Sequence, residues 1–359
     1  MSDVESERIL TDLRQWSKSL GFSHLGVSDI DLSQAEPHLL TWLSNGYHGE
    51  MAYMAKHGVK RSRPAELVPG TIRVITVRFP YLKVGVKDSL EALDHPDQAY
   101  IARYALGEDY HIVMKERLRA LAEQMKAAVG PHGYRVFVDS APVLEVEVAQ
   151  KAGLGWRGKH TLLLSRDEGS FFFLGEIFTD WPLPVTPSTT AHCGSCQRCI
   201  QVCPTQAIVA PYQLDARRCI AYLTIELKGA IPVEFRSMIG QRVYGCDDCQ
   251  LVCPWNKYAA ISHEARFESK AALESASLVD LWLWTETMFN EYLQGSAIVR
   301  IGYERWRRNL AVGLGNAQAS REIMRMLVNA YPNESALVQE HITWALDQQL
   351  ERAEVELCS

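Results

Sequence analysis

Nine cysteines occur in the chain, and eight fall in one stretch: Cys193, Cys196, Cys199 and Cys203 in CGSCQRCIQVCP, a lone Cys219 in LDARRCIAYLTIE, and Cys246, Cys249 and Cys253 in YGCDDCQLVCP. Thiolates are soft, electron-rich ligands suited to iron–sulfur clusters. The run C-x2-C-x2-C-x3-C-P wraps one cubane while lending its fourth thiolate to another, and two [4Fe-4S] clusters take eight thiolates. Crossed ligation of this kind joins Cys253 to Cys193, Cys196 and Cys199, and Cys203 to Cys219, Cys246 and Cys249. The second run lacks its first close-spaced cysteine. Cys219, far upstream in a segment with helical character, takes its place, so the second cluster is expected to be stitched across an inserted helix pair. Structural zinc is the plainer use of C-x2-C pairs, but a zinc knuckle has no need of two x3-C-P endings. A disulfide framework does not suit a chain this long with no secretory pattern.

The elements that must position these thiols come next. At 359 residues, 47% hydrophobic and 22% charged with net charge −6, the chain can bury a large core in two or three domains. No apolar run reaches bilayer length. The acidic opening MSDVESERILTDLRQW has no signal or twin-arginine pattern, and eight thiols that must stay reduced point to the cytoplasm. Ile9, Leu13, Trp16 and Leu20 have helical spacing. Strands are expected at Gly26–Ser28, 72–81, 134–139, His160–Ser165 and Phe171–Thr179, with a long amphipathic helix ending at Gly130. A further helix is expected from Ser140, with Pro142 in its first turn. The basic run KHGVKRSRP, with Lys56, Lys60, Arg61 and Arg63, reads as a solvated face, or alternatively as an anion or cofactor holder. Three domains follow: 1–185, mixed sheet and helix; 186–265, the cysteine region; and 266–359, helical. The last holds six arginines between 300 and 325 (Arg300, Arg305, Arg307, Arg308, Arg321 and Arg325) against two glutamates. Such a patch suits a phosphate backbone, or else a helix surface laced with ion pairs. Cys358, the ninth cysteine, reads as a free thiol near the tail.

The order VDSAPVLE, GLGWRGKHTLLL, CGSCQRCIQVCPTQAI, LDARRCIAYLTIE, YGCDDCQLVCPWNK and a helical tail resembles epoxyqueuosine reductases over nearly the whole chain. The resemblance implies an α+β fold: a nitroreductase-like α/β cobalamin domain, a ferredoxin-like two-cluster domain and a HEAT-like helical tail. It implies reduction of epoxyqueuosine to queuosine at the wobble base of tRNA, using base-off cobalamin and two [4Fe-4S] clusters. The absence of a D-x-H-x-x-G motif fits cobalamin held without a protein ligand to cobalt. Taken alone, Asp139 reads as the N-cap of the helix expected after it; the resemblance makes it the proton donor, a role for which burial against the corrin would help it keep its proton. The cofactor pocket implied by the family matches Arg61, Ala102, Arg103, Asp139, Leu163, Leu174, Cys246 and Asp247, with Tyr104, Trp156 and Lys159 as further pocket residues. Arg305, Arg307 and Arg308 match a clamp on tRNA. A low-potential electron donor, no membrane and a monomer complete the expectation.

Two other readings compete. A corrinoid reductive dehalogenase would keep the clusters and cobalamin but would not need a basic helical tail. A ferredoxin-type electron carrier would not need the large domain before the cysteines.

Overall fold

Four antiparallel strands make the central sheet of the computed structural model, in which the backbone is described for residues 3–358 and side chains for 5–355. The side chain of Cys358 lies outside the described residues. The strands are β1 (His24–Ser28), β2 (Arg73–Pro80), β3 (Tyr134–Phe137) and β4 (Phe172–Thr179), in the spatial order β1-β2-β4-β3. One face carries Val27, Ile75, Val77 and Ile177, all buried. Against it the helix Asp3–Ser19 packs Ile9, Leu10 and Leu13, and the helix Tyr110–Val129 packs Val113, Met114, Leu118, Leu121 and Met125. These sets recur every three or four residues, which turns one helical stripe to the sheet. Burying each large apolar side chain is worth about 1.5–3 kcal/mol. The other face holds Val74, Phe137 and Phe178, together with two polar side chains paired across strands, Thr76 and Glu176.

Two expectations fail locally. His160–Ser165 does not join the sheet: Gly158 N–H bonds to Leu162 O at 2.8 Å, Thr161 turns at φ 74°, Leu163–Leu164 pairs with Trp156–Arg157, and Ser165 bridges to Gly169. The helix after β3 begins at Glu145 rather than Ser140, because Ser140–Leu144 is spent on tight turns, with Ala141 N bonded to Val138 O.

Cys219 stands between a 3-10 turn, Ala216–Arg218, and the helix Ile220–Ile225, which is followed by the helix Val233–Ile239. The segment is therefore helical around Cys219, as its pattern implied. The C-terminal helices Gly302–Asn316, Arg321–Ala330 and Ala336–Cys358 pack on one another. They also close over the helix pair: Ile231 N–H donates to His341 Nε2 at 3.1 Å, and burial pushes that imidazole down to about 4, leaving the nitrogen free to accept. Among the described residues, no helix is long and apolar enough to cross a membrane.

Candidate functional site

All eight clustered thiols are free. Burial raises the Cys253 thiol to about 11, and the thiols that add repulsion are Cys193, Cys199 and Cys196. Burial also raises Cys249, whose thiol neighbours are Cys219, Cys203 and Cys199, and Cys246, which feels Cys219 and Cys249. The fold thus gathers the sulfurs into two adjoining neighbourhoods, with Cys199 next to both. Raised thiols stay protonated until a metal displaces the proton, and iron does so outright. Among the described residues, no three His, Cys, Asp or Glu side chains are gathered as a site for a single ion. Both runs end on a Cys-Pro step where a helix stops or starts, and Ala207 N–H donates to Cys203 Sγ at 3.2 Å. Asn256 fastens the second run to the sheet, accepting from Ser170 N–H at 2.6 Å and donating to Gln250 O at 2.6 Å.

Asp139 follows β3 and caps no helix; the N-cap of the next helix is Leu144. Its Oδ2 instead accepts from the Tyr110 hydroxyl, and its Oδ1 lies 2.5 Å from His111 Nε2. His111 Nδ1 in turn lies 2.7 Å from Asp109 Oδ1, and Asp109 also pairs with Arg300. Asp109 is the N-cap of the long helix, accepting from His111 N–H at 3.0 Å, so the capping geometry itself turns Tyr110 and His111 toward Asp139. Gly107 lets this loop press on the segment at 266–267, because a Cβ there would sit 2.6 Å from Arg266 O. Burial disfavours the His111 cation, yet hydrogen bonds to Asp109 and Asp139 outweigh it and hold the imidazole above its ordinary value. Burial keeps the Tyr110 hydroxyl protonated. Asp109, Tyr110 and His111 escaped the sequence reading; the available signal was an aspartate at a helix start with a histidine two residues on.

Behind Asp139 lie two more carboxyls. Glu176 is fully buried, and neither of its oxygens has a partner; Glu145 Oε1 is also unpartnered. Burial raises both well above the ordinary range, and the nearby Asp139 raises them further. The folded chain therefore keeps a proton that the unfolded chain sheds above about pH 4.5. Because the folded value is the higher one, stability is lost as pH rises through this window, by about 1.4 kcal/mol per pH unit. Glu176→Gln removes that loss. Its melting temperature is expected to exceed the parent's at pH 7, with the gap closing toward pH 4.5. A gap that stays constant with pH would show that Glu176 carries no such proton.

The other expected site residues divide. Arg61 turns inward, donating to Ala141 O and Tyr53 O, with Nε unpartnered, while Lys56, Lys60 and Arg63 stay exposed. Strand Tyr100–Ile101 pairs with Arg242–Tyr244, which brings Ala102 and Arg103 beside Cys246 and Asp247. Asp247 accepts from Arg103 N–H at 2.8 Å and from the Tyr100 hydroxyl at 2.9 Å. Tyr104 meets Tyr110 edge to face and Tyr244 at a tilt, linking this segment to Asp139's. Leu163 is buried in a small apolar cluster with Leu174 packed on it. Trp156 is buried against His192 and Trp255, and Lys159 points at the first cysteine run. The expectation for the basic tail needs correction. Arg308 is fully buried and donates to Leu223 O, Leu227 O and Gly229 O; Arg307 is buried, paired with Glu334 and stacked on Trp282; and Arg305 is spent on Ile301 O, Ile225 O and Arg300 O. Arg307 and Arg308 have no surface to offer a phosphate.

Two thiol neighbourhoods and a carboxylate–imidazole–carboxylate chain in one fold mark an iron–sulfur oxidoreductase of mixed helix and strand. A family model for a 4Fe-4S double cluster binding domain matches residues 192–256, and one described as epoxyqueuosine reductase QueG, DUF1730, matches 61–140. An epoxyqueuosine reductase of Pseudomonas aeruginosa is 54% identical over 347 residues, covering 96% of each chain. Among solved structures, the Bacillus subtilis epoxyqueuosine reductase, seen with its catalytic aspartate loop swung out of the active site, aligns with TM-score 0.87 at 26% identity, covering 96% of this chain and 91% of that one. An epoxyqueuosine reductase bound to an epoxyqueuosine-modified tRNA-Tyr stem loop aligns with TM-score 0.84 at 26% identity, over the same shares of the two chains. The chain belongs to the epoxyqueuosine reductase family.

Proposed function

We propose that this chain reduces epoxyqueuosine in the tRNA anticodon to queuosine, with Asp139 as proton donor. The carrying observation is Asp139, its side chain 42% exposed and gripped from behind by Tyr110 and His111, linked through Tyr104 to the segment that bears Cys246. Converting the epoxide to an alkene takes two electrons and two protons and releases the oxygen as water. Asp139 supplies a proton to the departing oxygen. His111, its Nε2 2.5 Å from Asp139 Oδ1 and its imidazole held above the ordinary value, then stands ready to restore it, while Asp109 and Arg300 fix the ring.

Electrons arrive singly, through one cluster on Cys193, Cys196, Cys199 and Cys253 and another on Cys203, Cys219, Cys246 and Cys249. The raised, disulfide-free thiols fit that role. Unpartnered Arg61 Nε and Glu145 Oε1, a donor and an acceptor close to Asp139, suit the amide side chains of a corrin. Arg61, Ala102, Arg103, Asp139, Leu163, Leu174, Cys246 and Asp247 would hold it. Bound cobalamin supplies a low-valent cobalt centre that joins single-electron delivery to a two-electron reduction.

In this reading, residues 1–185 form a nitroreductase-like cobalamin domain, 186–265 a ferredoxin-like one, and 266–359 a HEAT-like tail that meets tRNA. Arg321 and Arg325, exposed on the tail, are better placed than Arg307 and Arg308 for phosphate contact. The protein works in the cytoplasm as a monomer with a low-potential donor.

The test is anaerobic turnover of an epoxyqueuosine-bearing stem loop with a chemical reductant, with and without added cobalamin, followed by mass spectrometry of the nucleoside. Queuosine is expected only with both. Product without cobalamin overturns the cofactor assignment, and no product under any condition overturns the activity.

A further inference from the structure

Lys159 is 9% exposed, and its ammonium donates to Gly194 O at 2.8 Å and Cys196 O at 2.9 Å, both within the first cysteine run. Among the described residues, no carboxylate is paired with it. A buried ammonium is costly unless an anion compensates it, and two neutral carbonyls do so only in part. The short hairpin Trp156–Arg157 with Leu163–Leu164 holds Lys159 in place: the residue lies in the turn at Gly158–Leu162, and Lys159 O accepts from Tyr212 N–H at 3.0 Å. The fold has thus built a rigid site for a positive charge against a loop whose function is to hold an anionic cubane.

The second thiol neighbourhood is arranged differently. Its buried cation, Arg242, is neutralised by Asp248 at 2.8 Å, and Asp248 Oδ1 also accepts from the Cys246 thiol at 3.3 Å. Arg218, next to Cys219, is only half-buried and lies over the Phe235 ring, so solvent screens it. One neighbourhood therefore has an uncompensated buried cation, while the other has a cation already matched by a carboxylate.

We propose that Lys159 is the buried counter-cation of the cluster on Cys193, Cys196, Cys199 and Cys253, raising its reduction potential so that it accepts an electron before the second cluster does. Reduction adds one electron from an external one-electron donor to a cluster that is already anionic, and a fixed positive charge nearby favours the added charge. Net charge and hydrogen bonding are levers on cluster potential, and Lys159 supplies the charge while its bonds hold the loop. Cys196, the exposed thiol of the run, puts the same cluster nearest the surface, where a donor must deliver. Lys159 is here a positioning and potential-setting residue and touches no substrate. The inference rests on the double-cluster reading, which iron analysis of the parent protein tests separately.

The experiment is a mediated redox titration of anaerobic protein carrying about eight irons, without cobalamin, read by electron paramagnetic resonance. Two reduction steps are expected, and Cys196→Ser, which perturbs only the first cluster, should change the signal of the step at higher potential. Lys159→Gln should lower that step by at least a tenfold change in its reduced-to-oxidised ratio, about 59 mV for a one-electron couple, and leave the other in place. Lys159→Arg should keep the parent value. An unmoved higher step in an iron-replete Lys159→Gln protein overturns the proposal, as does a Cys196→Ser change confined to the lower step. If Lys159→Gln assembles too little iron to titrate, the order found in the parent and in Lys159→Arg, assigned through Cys196→Ser, still decides. Parent protein lacking iron would instead sink the double-cluster reading itself.

Discussion

Replacing Asp139 with asparagine is expected to cut turnover of epoxyqueuosine-bearing tRNA by roughly 10²–10⁴-fold, the range of a positioned proton donor, while iron content and cobalamin uptake stay at parent levels. Asparagine keeps the shape of aspartate and can still meet the Tyr110 hydroxyl and the His111 ring, so the surrounding packing is preserved. It cannot carry the proton. Asp139 is also only one member of a chain, since His111 lies 2.5 Å from one of its oxygens and Asp109 anchors the other side of the ring. Loss of Asp139 should therefore not be rescued by the imidazole, whose nitrogens are both committed. The measurement is single-turnover conversion followed by nucleoside mass spectrometry, with iron and corrinoid spectra on the same samples. Full activity in Asp139→Asn would remove this carboxyl from the reaction, whereas loss of activity accompanied by loss of iron would make its role structural.

How much of this was legible in the chain depends on how local the signal is. The cysteine runs are read by spacing alone, and in the fold burial and neighbouring thiols together raise Cys249 and Cys253. Strands β2 and β4 announce themselves because they are buried on both faces and so read as mainly apolar runs, interrupted by Thr76, Arg78 and Glu176. The segment 160–165 looks equally strand-like, yet a hairpin turn at Gly158–Leu162 consumes it. Asp139 could not be told from a helix cap, because the five residues after it look equally suited to a helix or to turns. Its partners Asp109, Tyr110 and His111 come from a helix start about thirty residues upstream, and only the folded sheet shows that they meet. The arginines of ERWRR were misread for a different reason. Charge count favours a solvated face, but Arg308 lies one turn before Val312 on a stripe that packs against the Cys219 helix. Helical spacing, had it outweighed composition, would have placed Arg308 inside.

That burial sets the other large expectation. Arg308→Met should unfold at markedly lower temperature and lose the second cluster in preference to the first. All of its guanidinium nitrogens are engaged: Nη1 with Leu227 O and Gly229 O, each at 2.7 Å, Nη2 with Leu223 O at 2.7 Å and Asn309 Oδ1 at 2.9 Å, and Nε with Asn309 Oδ1 at 3.1 Å. Burial, and then Arg305, push its pKa down to about 10, so it remains charged at neutral pH. Methionine fills much of the volume but strands three carbonyls, each costing about 1–3 kcal/mol when left unpaired in the interior, for a total of several kcal/mol. Those carbonyls belong to the end of helix Ile220–Ile225 and the loop after it, and Cys219 begins that helix. Loosening it should release iron from the neighbourhood of Cys219, leaving about four irons per chain. A phosphate-binding arginine would behave otherwise: stability and iron would be kept, and the slope of log affinity for tRNA against log salt would fall by about one. Thermal unfolding, iron analysis and a salt series on the same preparation separate the two, and a stable, iron-replete variant with a shallower slope would return Arg308 to the tRNA surface.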